Sequence, residues 1–364
     1  MQAHVHAALI ETLSRHFVLR NSRLETLAVF IVGLIQCRTV NLSHIASHFP
    51  AHAQHSSNYR RLQRFFQMIR LDQASVAQIV VAMLNLSRPK CLALDRTNWK
   101  VGRKDINILM LAIVTRRFRV PLLWTVLDRQ GNSNTDQRIA LMKRYLDLFG
   151  ASSIELLMAD REFIGGDWIE FLRKNNVAFA IRVKENQRVA LSDGRLWALR
   201  TLLRKRRRSR SITTFEAFLP AASVPVLFAA KWIEGRKGAQ GEWLVVMTNS
   251  QDAKSALRAY KGRWAIECLF GDAKTRGFNI EDTRMTASEK IDTLTAILTL
   301  AITWSYRCAT KTMGMKAIKR KTHGRREKSW FRIGLDALRA WIAFNPQNAV
   351  NAWKKTFPKR LKSN

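Results

Sequence analysis

The run of apolar segments that begins near residue 90 constrains the fold more than any other feature of the sequence. Three strand-like segments come first, and an amphipathic helix, a strand, a second helix and a further strand follow them. In chain order these segments read CLALDRTNW, INILMLAIVTRRF, PLLWTVLD, TDQRIALMKRYLDLFG, SIELLMAD, GGDWIEFLRKN and VAFAIRV. Short apolar runs bounded by turn residues indicate buried strands, whereas a spacing of three and four residues indicates helices. The pattern predicts three antiparallel strands followed by alternating helices and strands.

This chain order is that of a ribonuclease H-like α/β sheet, and two carboxylates lie at the ends of neighbouring strands in it. Asp95 ends the apolar part of the first strand, and Asp160 ends SIELLMAD. Ligands collect at the carboxyl edge of an open α/β sheet, although either aspartate alone is also a common turn or helix cap. Together with Glu267 they could hold two divalent ions about 4 Å apart. Hard oxygen ligands without His or Cys favour Mg²⁺ or Mn²⁺.

Glu267 belongs to the segment YKGRWAIECLFGDAK, residues 260–274, in which four polar side chains recur at helical offsets. With a turn of roughly 100° per residue, Tyr260, Arg263, Glu267 and Lys274 fall on one narrow stripe of a helix. An amphipathic core helix would place aliphatic residues on such a stripe. The stripe is therefore predicted to face a site or a ligand, and the alternative is a solvated face with charge pairs between turns.

The charge balance indicates a polyanionic partner. The 364 residues include 62 Lys and Arg against 27 Asp and Glu, a net charge of +35, which creates a positive field around the molecule. Double-stranded DNA is the expected partner, since no stacking motif of the usual RNA-binding kind is present. The runs LAVFIVGLI and LTAILTLAITW are too short or too rich in Thr to span a bilayer, so no membrane partner is expected. Four cysteines without CxxC spacing suit a reducing cytoplasm.

Residues 1–85 have helical periodicity and are expected to form an N-terminal DNA-binding domain. A short helix, Pro50 and the basic aromatic segment SSNYRRLQRFFQMIR resemble a helix-turn-helix-like DNA reader, and an ordinary helical bundle is the alternative. His48, His52 and His55 are close in sequence, but Pro50 breaks a simple helix and no carboxylate joins them. Solvated or DNA-facing histidines are therefore expected rather than a metal site.

Three motifs together resemble the insertion-sequence-four family of cut-and-paste DDE transposases, over about residues 40–345. They are LALDRTNW, MADREF and the Y-x2-R-x3-E-x6-K spacing of the polar stripe. The resemblance implies that Asp95, Asp160 and Glu267 are the catalytic, metal-binding triad. It also implies that the other side chains of the stripe hold the phosphates of the transposon end beside the ions: Tyr260, Arg263 and Lys274.

The resemblance also divides the rest of the chain. A catalytic domain is expected over residues 86–310, with the β-rich insertion of such families at about 186–242, which includes TTFEAFL and VPVLFAAKW. Residues 311–364 are basic and helical; in relatives this end helps to pair two protomers on DNA, but it could equally pack on its own domain. A basic run in the insertion is expected to contact the DNA backbone, with a solvated loop as the alternative. The run contains Arg204, Lys205, Arg206, Arg207 and Arg208.

Trp243 begins the strand-like segment WLVVMTN, where a Trp ordinarily covers the edge of a core. Relatives that make DNA hairpins have a Trp at the start of a similar W-L-x-x-x-T strand. The resemblance implies that the Trp243 ring stacks on a base flipped out beside the scissile bond. Trp232 is a less well placed candidate for this role.

The sequence thus predicts a DNA transposase of a bacterial insertion sequence, located in the cytoplasm with the nucleoid, that forms a homodimer when assembled on DNA. It would bind terminal inverted repeats, cleave the transposon ends by hydrolysis and transesterification, and join the 3′ ends to target DNA. Two Mg²⁺ ions in each active site would activate the attacking oxygen and stabilise the leaving 3′ oxygen. Only the resemblance implies a hairpin step. The alternatives are a catalytically inactive DNA-binding relative and a plain nuclease of the same fold.

Overall fold

Helices occupy both ends of the chain and strands occupy its middle. The computed structural model describes residues 2–49, 53–86, 90–128, 130–206, 211–220, 225–235, 240–314, 316–322 and 324–354. The helices before the first strand are α1 (Gln2–Leu13), α2 (Asn21–Cys37), α3 (Leu42–Ala46), α4 (His55–Met68) and α5 (Gln73–Leu84). The middle contains β1 (Lys90–Val101), β2 (Lys104–Val114), β3 (Arg119–Leu127), α6 (Thr135–Phe149), β4 (Ile154–Ala159), α7 (Gly166–Lys174), β5 (Phe179–Val183), β6 (Arg188–Ala190), β7 (Leu196–Ala198), α8 (Leu199–Leu203), β8 (Thr213–Ala217), β9 (Val226–Ile233) and β10 (Glu242–Thr248). The chain then continues through α9 (Ala253–Tyr260), α10 (Trp264–Ala273), α11 (Ser288–Met313), α12 (Trp330–Phe344) and α13 (Pro346–Lys354).

The first five strands lie in the sheet order β3-β2-β1-β4-β5, and the predicted α/β class is confirmed. Strands β1, β2 and β3 are antiparallel, whereas β4 pairs in parallel with both β1 and β5. A tight turn joins β1 to β2, and Gly102 accommodates it with a φ of +60°, a backbone conformation that residues with a Cβ adopt with strain. The apolar segments from residue 90 to residue 183 therefore form the elements that their patterns predict.

One strand boundary differs from the prediction. Strand β1 does not end at Asp95 but continues to Val101, because β2 pairs with it along its whole second half. Its parallel partner β4 ends at Ala159, which lies opposite Leu94. Asp95 is thus inside a long strand, at the point where the neighbouring strand stops, and the next residue of each strand is an aspartate.

The predicted β-rich insertion, at about 186–242, does not form one separate sheet, because two of its strands, β8 and β9, join the main sheet. Strands β10, β9 and β8 add to β5 in antiparallel fashion and extend one sheet to eight strands, in the order β3-β2-β1-β4-β5-β10-β9-β8. The small hairpin of β6 and β7 forms a sheet of its own. The exposed edge that β5 would otherwise present is covered by β10, which satisfies its backbone hydrogen-bonding groups.

The N-terminal helices form a bundle around α2, which is buried along most of its length. Helices α3 and α4 pack on each other and on α2, while α5 packs on α11 and β3. His55 shares a 2.9 Å hydrogen bond with the carbonyl of Ser43, and burial lowers the pKa of His48. His52 and Pro50 lie outside the described residues. Binding of DNA by this bundle stays a prediction.

The C-terminal helices pack on their own chain. Helix α11 is long and is buried along most of its length, and α12 crosses it at Gly334, where a Cβ would lie 1.8 Å from the carbonyl oxygen of Ser305. Trp353 of α13 packs edge-on against Trp304 of α11, with ring centroids 5.0 Å apart, and α13 also contacts α1. Among the described residues, no helix has the length and apolar character needed to cross a membrane.

Candidate active site

Asp95 and Asp160 emerge from adjacent strands at the same level of the sheet. The pairing of Leu94 with Ala159 makes them the next residues of two parallel strands. The side chain of Asp95 is 16% exposed; its Oδ1 accepts a hydrogen bond from the backbone N–H of Arg96 at 2.8 Å. Asp160 directly follows β4 and is half-buried. The two aspartates are therefore brought together as the sequence predicts.

Glu267 reaches the same place from a helix that is not continuous. Helix α9 ends at Tyr260, the 3-10 turn Lys261–Arg263 follows, and α10 begins at Trp264. Arg263 in this turn donates from Nη1 to Asp95 Oδ2 at 2.9 Å and from Nη2 to Glu267 Oε1. One guanidinium thus joins carboxylates from β1 and α10, two elements that are far apart in the sequence.

Tyr260 lies near Arg263 and approaches the second aspartate. Its hydroxyl is 3.5 Å from Asp160 Oδ1, a long hydrogen bond, and the guanidinium carbon of Arg263 lies 6.0 Å from its ring centroid. The residue is only 6% exposed, and burial raises its pKa, so its hydroxyl is a proton donor at neutral pH. Tyr260, Arg263 and Glu267 therefore converge on the two aspartates.

The acidic side chains of this site favour the binding of a positive charge. Burial raises the pKa of Asp95 from 3.8 to about 6, and the charges of Glu162 and Asp160 act in the same direction. The backbone N–H of Arg96 and the charge of Arg263 oppose this rise. A cation in the site would relieve the repulsion between the acidic groups.

The donor set fits a hard divalent cation, since Asp95, Asp160 and Glu267 offer carboxylate oxygens of the kind that Mg²⁺ and Mn²⁺ prefer. In the described parts of the chain, however, no three Asp, Glu, His or Cys side chains are gathered closely enough to hold a metal ion. The guanidinium of Arg263 instead bonds to two of the three carboxylates, those of Asp95 and Glu267. The acidic groups are assembled around an internal cation.

A family model described as the transposase DDE domain matches residues 86–304, more than half of the chain. The chain belongs to the DDE-domain transposase family. The match includes all three carboxylates and the polar stripe. Among solved structures, the chain is similar to one in the cryo-EM structure of the piggyBac transposase synaptic complex with hairpin DNA, with 10% sequence identity and a TM-score of 0.47, over 99% of this chain and 84% of that chain. No protein of curated function gives a significant match.

The DDE domain contains an ion pair beside the site that the sequence motifs did not identify. Arg96 donates from Nε and Nη2 to both carboxylate oxygens of Glu162, at 2.7 and 2.9 Å. It also donates to the Asn107 side chain and to the carbonyl of Gly131. Arg96 follows Asp95 directly, and Glu162 is two residues after Asp160, so the pair ties the segments that carry both aspartates. The signal in the sequence was the charged neighbour of each aspartate, in LDRTNW and ADREF.

Lys274 of the DDE domain departs from the predicted stripe. It follows the last residue of α10 and leaves helical geometry, with φ −87° and ψ −135°. Its amino group donates to the carbonyl of Asn98 at 3.0 Å and pairs with Glu281 at 2.9 Å. The helix ends before it could carry Lys274 onto the face of Arg263, so the single continuous stripe is wrong at this residue. Asn98 lies on β1, three residues beyond Asp95, which keeps Lys274 on the strand that carries the site.

Trp243 is buried at the start of β10. Its side chain is 6% exposed and packs edge-on against Trp232, with ring centroids 5.4 Å apart. This packing favours the structural role that the sequence left open, and a base could stack on the buried ring only after the side chains around it rearrange. Stacking on a flipped base stays a prediction.

The basic run is described only in part. Arg204, Lys205 and Arg206 form an exposed 3-10 turn after α8. Arg207 and Arg208 lie outside the described residues. The exposure of the first three agrees equally with contact to DNA and with solvation.

Proposed function

We propose that this chain is a cut-and-paste DNA transposase of the insertion-sequence-four type, encoded by a bacterial insertion sequence. The observation that carries the proposal is the Arg263 bridge, because it draws Asp95 on β1 and Glu267 on α10 into one site beside Asp160. The match to the transposase DDE domain over residues 86–304 supports this reading. Asp95, Asp160 and Glu267 would be the catalytic triad.

The carboxylates would hold divalent ions, two Mg²⁺ in each site. Once bound, such ions would supply Lewis-acid stabilisation to the attacking oxygen and to the leaving 3′ oxygen. The protein positions the carboxylates: the strands fix Asp95 and Asp160 next to each other, and α10 brings Glu267 to them. Tyr260, as a buried neutral donor, would bond to a phosphate oxygen.

The DNA substrate would be held largely through its backbone. A net charge of +35 attracts a polyanion such as DNA to the surface of the protein. Arg263 and Lys274 would add specific phosphate contacts near the scissile bond. The N-terminal bundle would recognise the terminal inverted repeats, and the exposed run from Arg204 would contact DNA outside the site. Two copies would assemble on two transposon ends, and the ends would be released through a hairpin and joined to target DNA.

Cleavage and joining by triad variants test this function. The full chain, with Mg²⁺, is incubated with labelled DNA that carries the sequences flanking its gene, together with a supercoiled target plasmid. Asp95→Asn, Asp160→Asn and Glu267→Gln are each expected to abolish nicking, because a charged metal ligand is lost, while gel-shift affinity for DNA changes little. Asp147→Asn, at an exposed position of α6, is the matched control and should cut like wild type.

The products separate the alternatives. Joined plasmid products are expected from a transposase, whereas a plain nuclease of this fold would give cut DNA alone. A catalytically inactive DNA-binding relative would give a gel shift and no products. Near-wild-type cutting by any of the three triad variants would contradict the site assignment.

A further inference from the structure

The guanidinium of Arg263 occupies the position between two of the three catalytic carboxylates. Its Nη1 donates to Asp95 at 2.9 Å and its Nη2 donates to Glu267. The arginine side chain is 10% exposed and that of Asp95 is 16% exposed. A planar group with two parallel donors is well suited to bridging acidic oxygens. Here the two oxygens belong to different elements, so the arginine holds β1 and α10 together by charge.

A divalent ion bound by Asp95 and Glu267 would compete with Arg263 for Asp95 Oδ2 and Glu267 Oε1. Oδ1 of Asp95 already accepts the backbone N–H of Arg96, and Oδ2 accepts Arg263. A positively charged group in contact with the same carboxylates would also repel the ion, and this repulsion is weakly screened at Asp95, whose side chain is only 16% exposed. Arg263 and the ion therefore compete for the same carboxylates.

We propose that Arg263 is an internal cation that neutralises the Asp95–Glu267 pair until metal binds, and that it must withdraw for the metal to bind. The inference rests on the proposed metal-dependent function and adds a role for Arg263 before DNA is engaged. In the DNA-free chain Arg263 would lower the affinity of the site for metal.

The withdrawn arginine gains a new partner when DNA is present. A phosphate oxygen competes with the carboxylates for the guanidinium, since arginine binds both by the same donor geometry. DNA binding would free the carboxylates, and metal binding would free Arg263. By linkage, each ligand would then strengthen the binding of the other by the same factor.

Metal affinity in the DNA-free full chain tests this role without any need for activity. Binding of Mn²⁺ is measured by the electron paramagnetic resonance signal of the free ion, near neutral pH. Arg263→Gln is expected to tighten Mn²⁺ binding by about tenfold, within the range of coupling between sites in proteins. Arg258→Gln is the matched control, because it removes the same charge from an exposed position of α9, and it should bind like wild type.

A second pair of variants keeps the test decisive. Arg263→Lys retains the charge, but its single ammonium group cannot span both carboxylates, so an intermediate gain in Mn²⁺ affinity is expected. This variant can replace Arg263→Gln in the test if the Gln variant folds poorly. The double variant Asp95→Asn with Arg263→Gln should lose the gain, which shows that the tighter ion sits at the triad. Melting curves recorded with the binding data identify any variant that is unfolded.

The outcomes distinguish this inference from the proposed function. Arg263→Gln and Arg263→Lys could bind Mn²⁺ no more tightly than wild type, while Mn²⁺ binding by all three proteins depends on Asp95. That result would refute the competition between Arg263 and the ion and would leave the proposed metal site supported. If wild type and the Arg263 variants show no Asp95-dependent Mn²⁺ binding, the metal-dependent function itself fails, and the inference fails with it.

Discussion

The helix that carries Glu267 is anchored by a buried ion pair, and breaking that pair should be costly. Asp272, near the end of α10, is 1% exposed. Its Oδ2 accepts from Arg119 Nε and Nη2 at 3.0 and 2.8 Å and from the Tyr306 hydroxyl at 3.3 Å. These contacts fasten α10 to β3 and α11. Asp272→Asn would retain the shape of the side chain while it removes the charge that balances Arg119.

The magnitude follows from the burial of both partners. Removing one member of a buried ion pair typically costs about 3–5 kcal/mol, because the other charge is left uncompensated. The Arg119 side chain is 20% exposed, and an amide oxygen can still accept one hydrogen bond, so we expect the lower end, about 3 kcal/mol. For a chain of 364 residues that corresponds to a fall in Tm of about 4 °C.

The pH dependence should differ between the two partners. Burial raises the pKa of Asp272, although Arg119 opposes the rise; without Arg119 the pKa would rise further. A carboxyl whose folded pKa is raised contributes stability that is complete below its unfolded pKa and is lost as the pH rises through its folded pKa. The loss in Arg119→Met should therefore be larger near pH 8 than near pH 5. The loss in Asp272→Asn should be smaller near pH 8 than near pH 5, because the wild type loses the contribution of its raised Asp272 pKa as the pH rises and the variant has no carboxyl to titrate.

Melting curves at both pH values, recorded by circular dichroism, check this reasoning. Glu242→Gln is the control, because it breaks an ion pair with Arg182 in which the glutamate is 62% exposed, and such pairs contribute about 0–1 kcal/mol. A Tm for Asp272→Asn equal to that of the control would refute the anchoring role. A loss in Arg119→Met that is the same at both pH values would refute the account of Asp272.

Three further predictions concern the site. The stability of Asp95→Asn relative to the metal-free wild type should rise between pH 4 and pH 8, by up to about 3 kcal/mol at 1.36 kcal/mol per pKa unit. The pKa of Asp95 is raised to about 6, so the wild type loses stability as the pH rises through about 6 and the variant does not; Tm values that differ equally at pH 4 and pH 8 would contradict this. Glu162→Gln should slow the first nick by about tenfold through weaker positioning of both aspartates, with Tm and DNA affinity nearly unchanged; a parallel fall in Tm and rate would instead indicate a purely structural pair. Trp243→Ala should lower the Tm, because truncation of a buried Trp costs about 3–5 kcal/mol of stability, and it should slow nicking and hairpin formation equally. A normal Tm with only hairpin formation slowed would favour base stacking.

Local patterns in the sequence account for the order of elements in the sheet. Apolar runs such as INILMLAIV suit a strand that is buried on both faces, and a turn glycine at Gly102 joins it to the strand before. Since these signals depend on neighbours within a few residues, they could be read without any knowledge of the fold. Chain order and the parallel pairing of β1 with β4 then place Asp95 beside Asp160.

Such local patterns could not predict which strands the later strands would pair with. The residues of β8 and β9 predict strands correctly, but their place in the main sheet depends on whether the edge of β5 is open to β10. That choice is made by long-range hydrogen bonding, which leaves no mark in the alternation of side chains. The same holds for α13, whose apolar face indicates burial without indicating that α1 and α11 receive it.

The polar stripe shows the same division within a single motif. Its spacing, read as an ideal helix, brought Tyr260, Arg263 and Glu267 to one face, and their side chains do converge. The 3-10 turn before α10 and the end of that helix at Ala273 depend on tertiary packing, which set the direction of Lys274. The sequence by itself determined which charged groups could meet. Only the tertiary structure decided that Arg263 would stand between Asp95 and Glu267, because β1 and α10 are far apart in the sequence and meet only in the folded chain.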